Sequence, residues 1–167
     1  MNKYKILFLV FMMGFFTNVK SQVESGAYNL MLKGLLSHSV PEISVKGIDS
    51  LKDAVFIDSR SLAEFEVSRI KNARWSGFDE FTTDNLKDVS KESTLVVYCS
   101  VGYRSEKISE KLLDLGYANV YNLYGGIFEW LNEGKPVVDS NGNTTDTVHA
   151  YSKTWGIWLK NGNKVYK

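Results

Sequence analysis

One thiol occurs in the 167 residues, Cys99, in the run Thr-Leu-Val-Val-Tyr-Cys-Ser-Val-Gly-Tyr-Arg-Ser over 94–105. An apolar stretch passes there into a short loop and then into a segment with helical character. A cysteine at the C-terminal tip of a buried strand faces the crevice in which open α/β sheets bind their ligands. Loop amides and those of a following helical turn place partial positive charge around it, and positive charge stabilises a thiolate, the nucleophilic form. Cys99 is the candidate nucleophile. Ser100, Val101, Gly102, Tyr103, Arg104 and Ser105 are the candidate substrate-binding residues. Gly102 stands where the backbone must bend, Arg104 supplies a cation five positions after the sulfur, and Ser105 offers a hydroxyl at the expected helix start. A free cysteine often packs as an inert small hydrophobe. The glycine, cation and hydroxyl together favour an anion-receiving cradle instead.

The elements needed to hold that loop can be read on either side of it. Residues 54–57 and 95–98 are short continuous apolar runs, as strands covered on both faces require. Residues 120–123 read as another strand and 73–76 as a weaker one. Ile43 and Val45 alternate with polar residues as a short strand, and Leu51 follows in a helical turn. Ile108, Leu112 and Leu115 mark one helical face that Gly116 can terminate. Leu30, Met31, Leu35 and Leu36 lie at near-helical spacing within 26–37. The expected architecture is an α/β fold with a mainly parallel central sheet flanked by helices on both faces.

The loop resembles the active-site loop of the rhodanese family, sulfurtransferases that carry a sulfane sulfur as a cysteine persulfide. Cys99, Gly102 and Arg104 carry that likeness. Val55-Phe-Ile-Asp-Ser-Arg60 resembles the family's Asp-x-Arg element, and Glu64-Phe65 with Arg69-Ile-Lys-Asn-Ala73 resembles its next two. Leu123-Tyr-Gly-Gly-Ile-Phe-Glu-Trp130 resembles its closing Gly-Gly segment. The likeness spans residues 43–136 and implies a single rhodanese-like domain. It implies a thiosulfate:cyanide-type sulfurtransferase using a small sulfur donor and a thiol or cyanide acceptor, with a protein acceptor also compatible. Cys99 would be the catalytic residue and no cofactor or metal would be needed. Four residues separate Cys99 from Arg104, one fewer than in cysteine phosphatases of this fold, so sulfur transfer is favoured over phosphate ester hydrolysis. Ser100 departs from thiosulfate-preferring members, which often place a cation there. Asp58 and Arg60 are expected to support the loop, and Arg60 and Arg69 to sit as surface cations near the mouth. Arg104 is expected to bind an anionic donor, to pair with Asp58 or Glu64, or both. The alternatives are a non-catalytic binding or persulfide-carrier module and a redox thiol protein, the latter poorly supported by one cysteine.

Lys3 and Lys5 precede an apolar run over 6–16 and then polar residues, the pattern of a signal peptide with cleavage after Ser21. The run's 11 residues fall short of the roughly 20 that span a bilayer. Removing 21 of the 167 residues would leave 146, with Lys3, Lys5 and Lys20 lost and the formal charge moving from +1 to −2. An exported, periplasmic or secreted enzyme is expected, with no membrane contact after cleavage. No basic surplus argues for nucleic acid. Residues 22–42 read as a helical lead-in. His38, near the end of that helix, and His149 are too scattered to form a metal cluster with Cys99. Residues 137–167 form an aromatic extension, expected as a hairpin or strap turning at Asn161-Gly162. His149 or Trp155 is expected near the Cys99 mouth.

Overall fold

The computed structural model describes residues 22–166, so the expected signal segment lies outside the described residues. Five strands form one sheet, all pairs parallel, in the order β1-β5-β4-β2-β3. They are β1 (Glu42–Ile43), β2 (Val55–Asp58), β3 (Arg74–Trp75), β4 (Thr94–Tyr98) and β5 (Asn119–Leu123). β4 is central, paired from Val55↔Leu95 to Asp58↔Tyr98 on one side and from Thr94↔Asn119 to Val97↔Asn122 on the other. Cys99 therefore leaves the sheet at the C-terminal end of its middle strand.

Side chains alternate across β4 as the pleat requires. Leu95 and Val97 pack with Ile57, Val120, Ile108 and Leu112 on one face. Val96 and Tyr98 pack on the other with Tyr28, Leu32, Leu123, Ile127 and Phe128. The first face is covered by α3 (Tyr103–Asp114) and the second by α1 (Gly26–Leu35) and α4 (Gly126–Asn132). Ser25 caps α1 through the Tyr28 amide, and Tyr28, Leu32 and Leu36 recur every fourth residue as its inner stripe. Leu30 falls outside that stripe and is 74% exposed, so it is not among the anchors that its spacing suggested. Leu115 likewise lies at the C-cap of α3 and is exposed, while Gly116 ends the helix with φ +87°. Val45 does not extend β1; it is buried as the first residue of a 3₁₀ turn, Val45–Ser50, capped by Ser44.

The C-terminal extension differs from the expected hairpin at Asn161-Gly162. Two-residue strands β6 (Val137–Val138) and β7 (Thr144–Thr145) make an antiparallel pair around a turn over 139–143. Next come β8 (Thr147–His149), a short helix α5 (Lys153–Gly156) and β9 (Asn163–Val165), with β9 running parallel to β8. The Asn161 side chain donates to the carbonyl of Asn132 at 2.8 Å, and the Lys160 amide donates to Asn132 Oδ1 at 2.7 Å. Those bonds tie the Asn-Gly pair to the end of α4, so it cannot reverse the chain on itself. Val148, Ala150 and Leu159 join the main core, and Trp158 stacks on Tyr28 with centroids 5.3 Å apart. The extension is a strap fastened across the α1 and α4 side.

Candidate active site

β4 ends at Tyr98, and the chain bends through 99–102 before α3 starts at Tyr103. Gly102 is the N-cap, at φ +122°, a conformation that a residue with a Cβ adopts only under strain. Its amide donates to Cys99 Sγ at 3.1 Å. The expected ring of loop amides thus narrows, among the described residues, to one backbone hydrogen bond on the sulfur. Ser105 is not at the helix start but inside the first turn. Its hydroxyl lies 2.7 Å from Asn122 Oδ1 and 3.6 Å from Sγ, and the shorter contact holds its proton. Asn122 Nδ2 donates to the Gly102 carbonyl at 3.1 Å. Asn122 therefore fixes both the bend and Ser105, although only its place as a fully buried amide in an apolar strand could have pointed to it.

The loop is held from behind by the glycine pair that opens α4. The amides of Ile127 and Phe128 donate to the carbonyls of Cys99 at 2.9 Å and Ser100 at 3.2 Å. Gly125 and Gly126 have φ of +83° and +57°, and a Cβ on Gly126 would lie 2.4 Å from the Cys99 carbonyl oxygen. Only glycine permits that approach.

In front of the loop stands Glu64, on α2 (Leu62–Val67). Ser61 and Glu64 form a reciprocal capping box, so helix initiation aims the carboxylate. Arg104 grips it with both outer nitrogens, each at 2.8 Å, and the Ser100 hydroxyl donates to it at 3.1 Å. Burial alone would raise the pKa of Glu64. The Arg104 hydrogen bonds outweigh it and hold the carboxyl at about 2. Arg104 shifts upward: burial opposes its charge, but the Glu64 bonds prevail. Its partner is thus Glu64 and not Asp58, and the Tyr151 ring covers the guanidinium at 5.0 Å.

Asp58 pairs with Arg60, both fully buried, and Arg60 also donates to the Ser68 carbonyl at 2.6 Å. The expectation of Arg60 as a surface cation is wrong, because its charge is neutralised inside the fold next to the Tyr98 ring. Arg69 lies over Phe65 and shares an antiparallel bridge with Val138, so it braces the strap and does not line the Cys99 pocket. His38, held at φ +54°, is 2.9 Å from Glu42 and caps no helix.

Cys99, itself 1% exposed, borders a pocket of about 500 Å³. Ser100, Val101, Tyr103 and Arg104 line it, whereas Gly102 and Ser105 lie behind it. Tyr103 stands outward at 44% exposure. The strap contributes His149, Tyr151 and Trp155 to the wall. His149 Nδ1 accepts the Tyr151 amide at 3.1 Å, which places the proton of the neutral ring on Nε2. Burial shifts the ring downward from the usual histidine range against the opposing pull of Glu64.

Residues 44–133 match the family model of the rhodanese-like domain, more than half of the chain. This chain belongs to the rhodanese-like domain family. A tRNA uridine(34) hydroxylase of Hamiltonella defensa is 42% identical over 89 residues, covering 50% of this chain and 25% of that protein. The corresponding protein of Pectobacterium carotovorum is 35% identical over 88 residues, with the same coverage of each. The match thus spans a quarter of the length of these curated relatives. Among solved structures, a rhodanese-related protein of Thermoplasma volcanium is 28% identical with a TM-score of 0.52, covering 59% of this chain and 98% of that one. The rhodanese-like domain of an Anabaena protein shares the fold at a TM-score of 0.55 and 17% identity, over 60% of this chain and 80% of its own. In this member of the family, the pocket residues His149, Tyr151 and Trp155 follow the matched segment.

Proposed function

We propose that this rhodanese-like protein is a sulfurtransferase that carries a sulfane sulfur on Cys99. The observation that carries the reading is the Gly102 amide aimed at Sγ, in a six-position loop that opens on a pocket beside Arg104. In the first half-reaction the Cys99 thiolate attacks the outer sulfur of a donor R–S–SH. The new bond is Cys99 S–S, the donor's S–S bond breaks, and R–S⁻ leaves with the electron pair. In the second, cyanide or a thiolate attacks the outer sulfur and Cys99 thiolate is regenerated. The Gly102 N–H supports the sulfur anion at both ends of the cycle.

We further propose that the protein is exported, after cleavage at Ser21, into a periplasmic or extracellular space, which N-terminal sequencing of the cell-derived protein tests. Hydroxylation of a tRNA uridine, the activity in the names of the relatives, is not carried over. The match covers a quarter of those proteins and this chain has a net charge of only +1. A persulfide carrier without turnover is the second reading, favoured by Arg104 being occupied with Glu64. Both are tested by following thiocyanate release from cyanide in the presence of excess organic hydropersulfide, with wild type and Cys99→Ser. Multiple turnovers lost in the variant support the enzyme, a single turnover supports the carrier, and equal release from both contradicts each.

A further inference from the structure

The strap and the charge pattern of the Cys99 pocket bear on which molecule brings or removes the sulfur. Leu35, Phe78, Tyr103, Tyr151 and Trp155 make most of its wall apolar or aromatic, and Val101 adds to it. Its volume, about 500 Å³, is in the range that holds organic ligands and far exceeds what cyanide or thiosulfate needs. Arg104 is the one full cation among the described lining residues, and both its outer nitrogens are engaged by Glu64. Asp79 lines the same pocket without an ion pair among the described residues, and the position after Cys99 is the neutral Ser100. With His149 neutral, Glu64 and Asp79 against Arg104 leave the lining at one net negative charge, before the thiolate is counted. A small dianion meets repulsion there, and among the described lining residues no unpaired cation offsets the loss of its hydration.

We infer that the pocket selects an uncharged organic thiol with an aromatic or alkyl group, as acceptor and, in its persulfide form, as donor. The inference rests on the sulfurtransferase reading. The organic group lies against Phe78, Tyr151 and Trp155, and its sulfur meets Cys99. Transfer to such an acceptor forms R–S–S⁻, breaks the Cys99 S–S bond and returns the thiolate to Cys99, with no oxidant or reductant consumed. Tyr151 and Trp155 are thus specificity residues supplied by the strap. Tyr151 sits at φ +62°, a strained conformation for an aromatic residue, which suits a side chain placed for a purpose other than packing economy.

The full chain, loaded at Cys99 with benzyl hydropersulfide and freed of excess reagent, is mixed with benzyl mercaptan or with 2-mercaptoethanesulfonate. Each rate is divided by that thiol's own rate with a small-molecule persulfide. The expected ratio favours the benzyl thiol by roughly tenfold or more, the value of burying one aromatic ring. Trp155→Ala and Tyr151→Ala should reduce that ratio below about threefold. The ratio is internal to each preparation, so partial loss of folded protein leaves it unchanged. Asp79 is exposed, and Asp79→Lys should raise the rate with the sulfonate severalfold. A wild-type ratio near one, or a ratio indifferent to all three substitutions, overturns the inference while leaving sulfur transfer standing. Failure to pass sulfur even to cyanide overturns the sulfurtransferase reading and this inference with it.

Discussion

Behind Cys99 the loop is held by main-chain bonds from the Ile127 and Phe128 amides, made possible by two successive glycines. In front of it stand side chains: Glu64 on Arg104 and Ser100, and the strap residues Tyr151 and Trp155. The back tolerates no Cβ at Gly126 and leaves no choice of residue. The front is built of side chains, so a substitution there changes charge or shape. All of the back falls within the segment matched by the family, whereas part of the front comes from beyond it. The loop's shape is thus set by backbone geometry within the matched segment, and part of the pocket wall by side chains outside it.

The largest effect should come from the back. Gly126→Ala places a methyl group against the Cys99 carbonyl and forces an L-residue to φ +57°. A loss on the order of 3 kcal/mol or more is expected in urea unfolding, from strain and clash together. A loss under about 0.5 kcal/mol would show that the glycine turn does not brace the loop. Next comes the ion pair in front. Arg104→Ala leaves the Glu64 carboxylate buried without its partner, a cost on the order of 3 kcal/mol. Loss of the guanidinium also adds to the negative charge of the lining, so transfer from an anionic donor should fall further than transfer from a neutral one. An equal fall for both would show that the charge of the lining does not govern donor choice.

The same pair gives a pH dependence. The folded-state pKa of Glu64, about 2, lies below its ordinary value of 4.5, so its contribution to stability is fully present above that ordinary value. It is lost as pH falls from there through about 2, by an amount on the order of 3 kcal/mol. Glu64→Gln should flatten that limb of an acid-unfolding curve; an unaltered limb would place the acid sensitivity elsewhere. The smallest effect concerns the strap. Tyr151→Ala removes the ring over Arg104, worth about 0.5–1 kcal/mol, and Tyr151→Gly removes the same ring while relieving the backbone. The glycine variant should be the more stable of the two by thermal unfolding, and the reverse order would deny strain at this position.

The parallel sheet was legible because residues 55–57 and 95–98 are apolar without interruption, and because Gly102 and Gly116 stand where the chain must turn. Cys99 could be read from its place between those elements. Arg60 could not: a charged side chain reads as exposed until its partner is known, and the Asp58 bond that buries it exists only in the fold. Asn122 was hidden for a related reason, since its two partners, Ser105 and Gly102, lie on another element. In the strap, Asn161-Gly162 carried a strong local turn signal. Bonds to Asn132, about thirty positions away, overrode it and let β9 join β8 in parallel. Local pattern thus revealed the back of the site better than its front.

That Cys99 holds the transferred sulfur is tested by the mass of the intact protein after exposure to an organic hydropersulfide and removal of excess reagent. A gain of one sulfur atom is expected, localised to the Cys99 peptide and absent in Cys99→Ser. Cyanide should remove that gain as thiocyanate. An unchanged wild-type mass, or a gain that persists in Cys99→Ser, would contradict it.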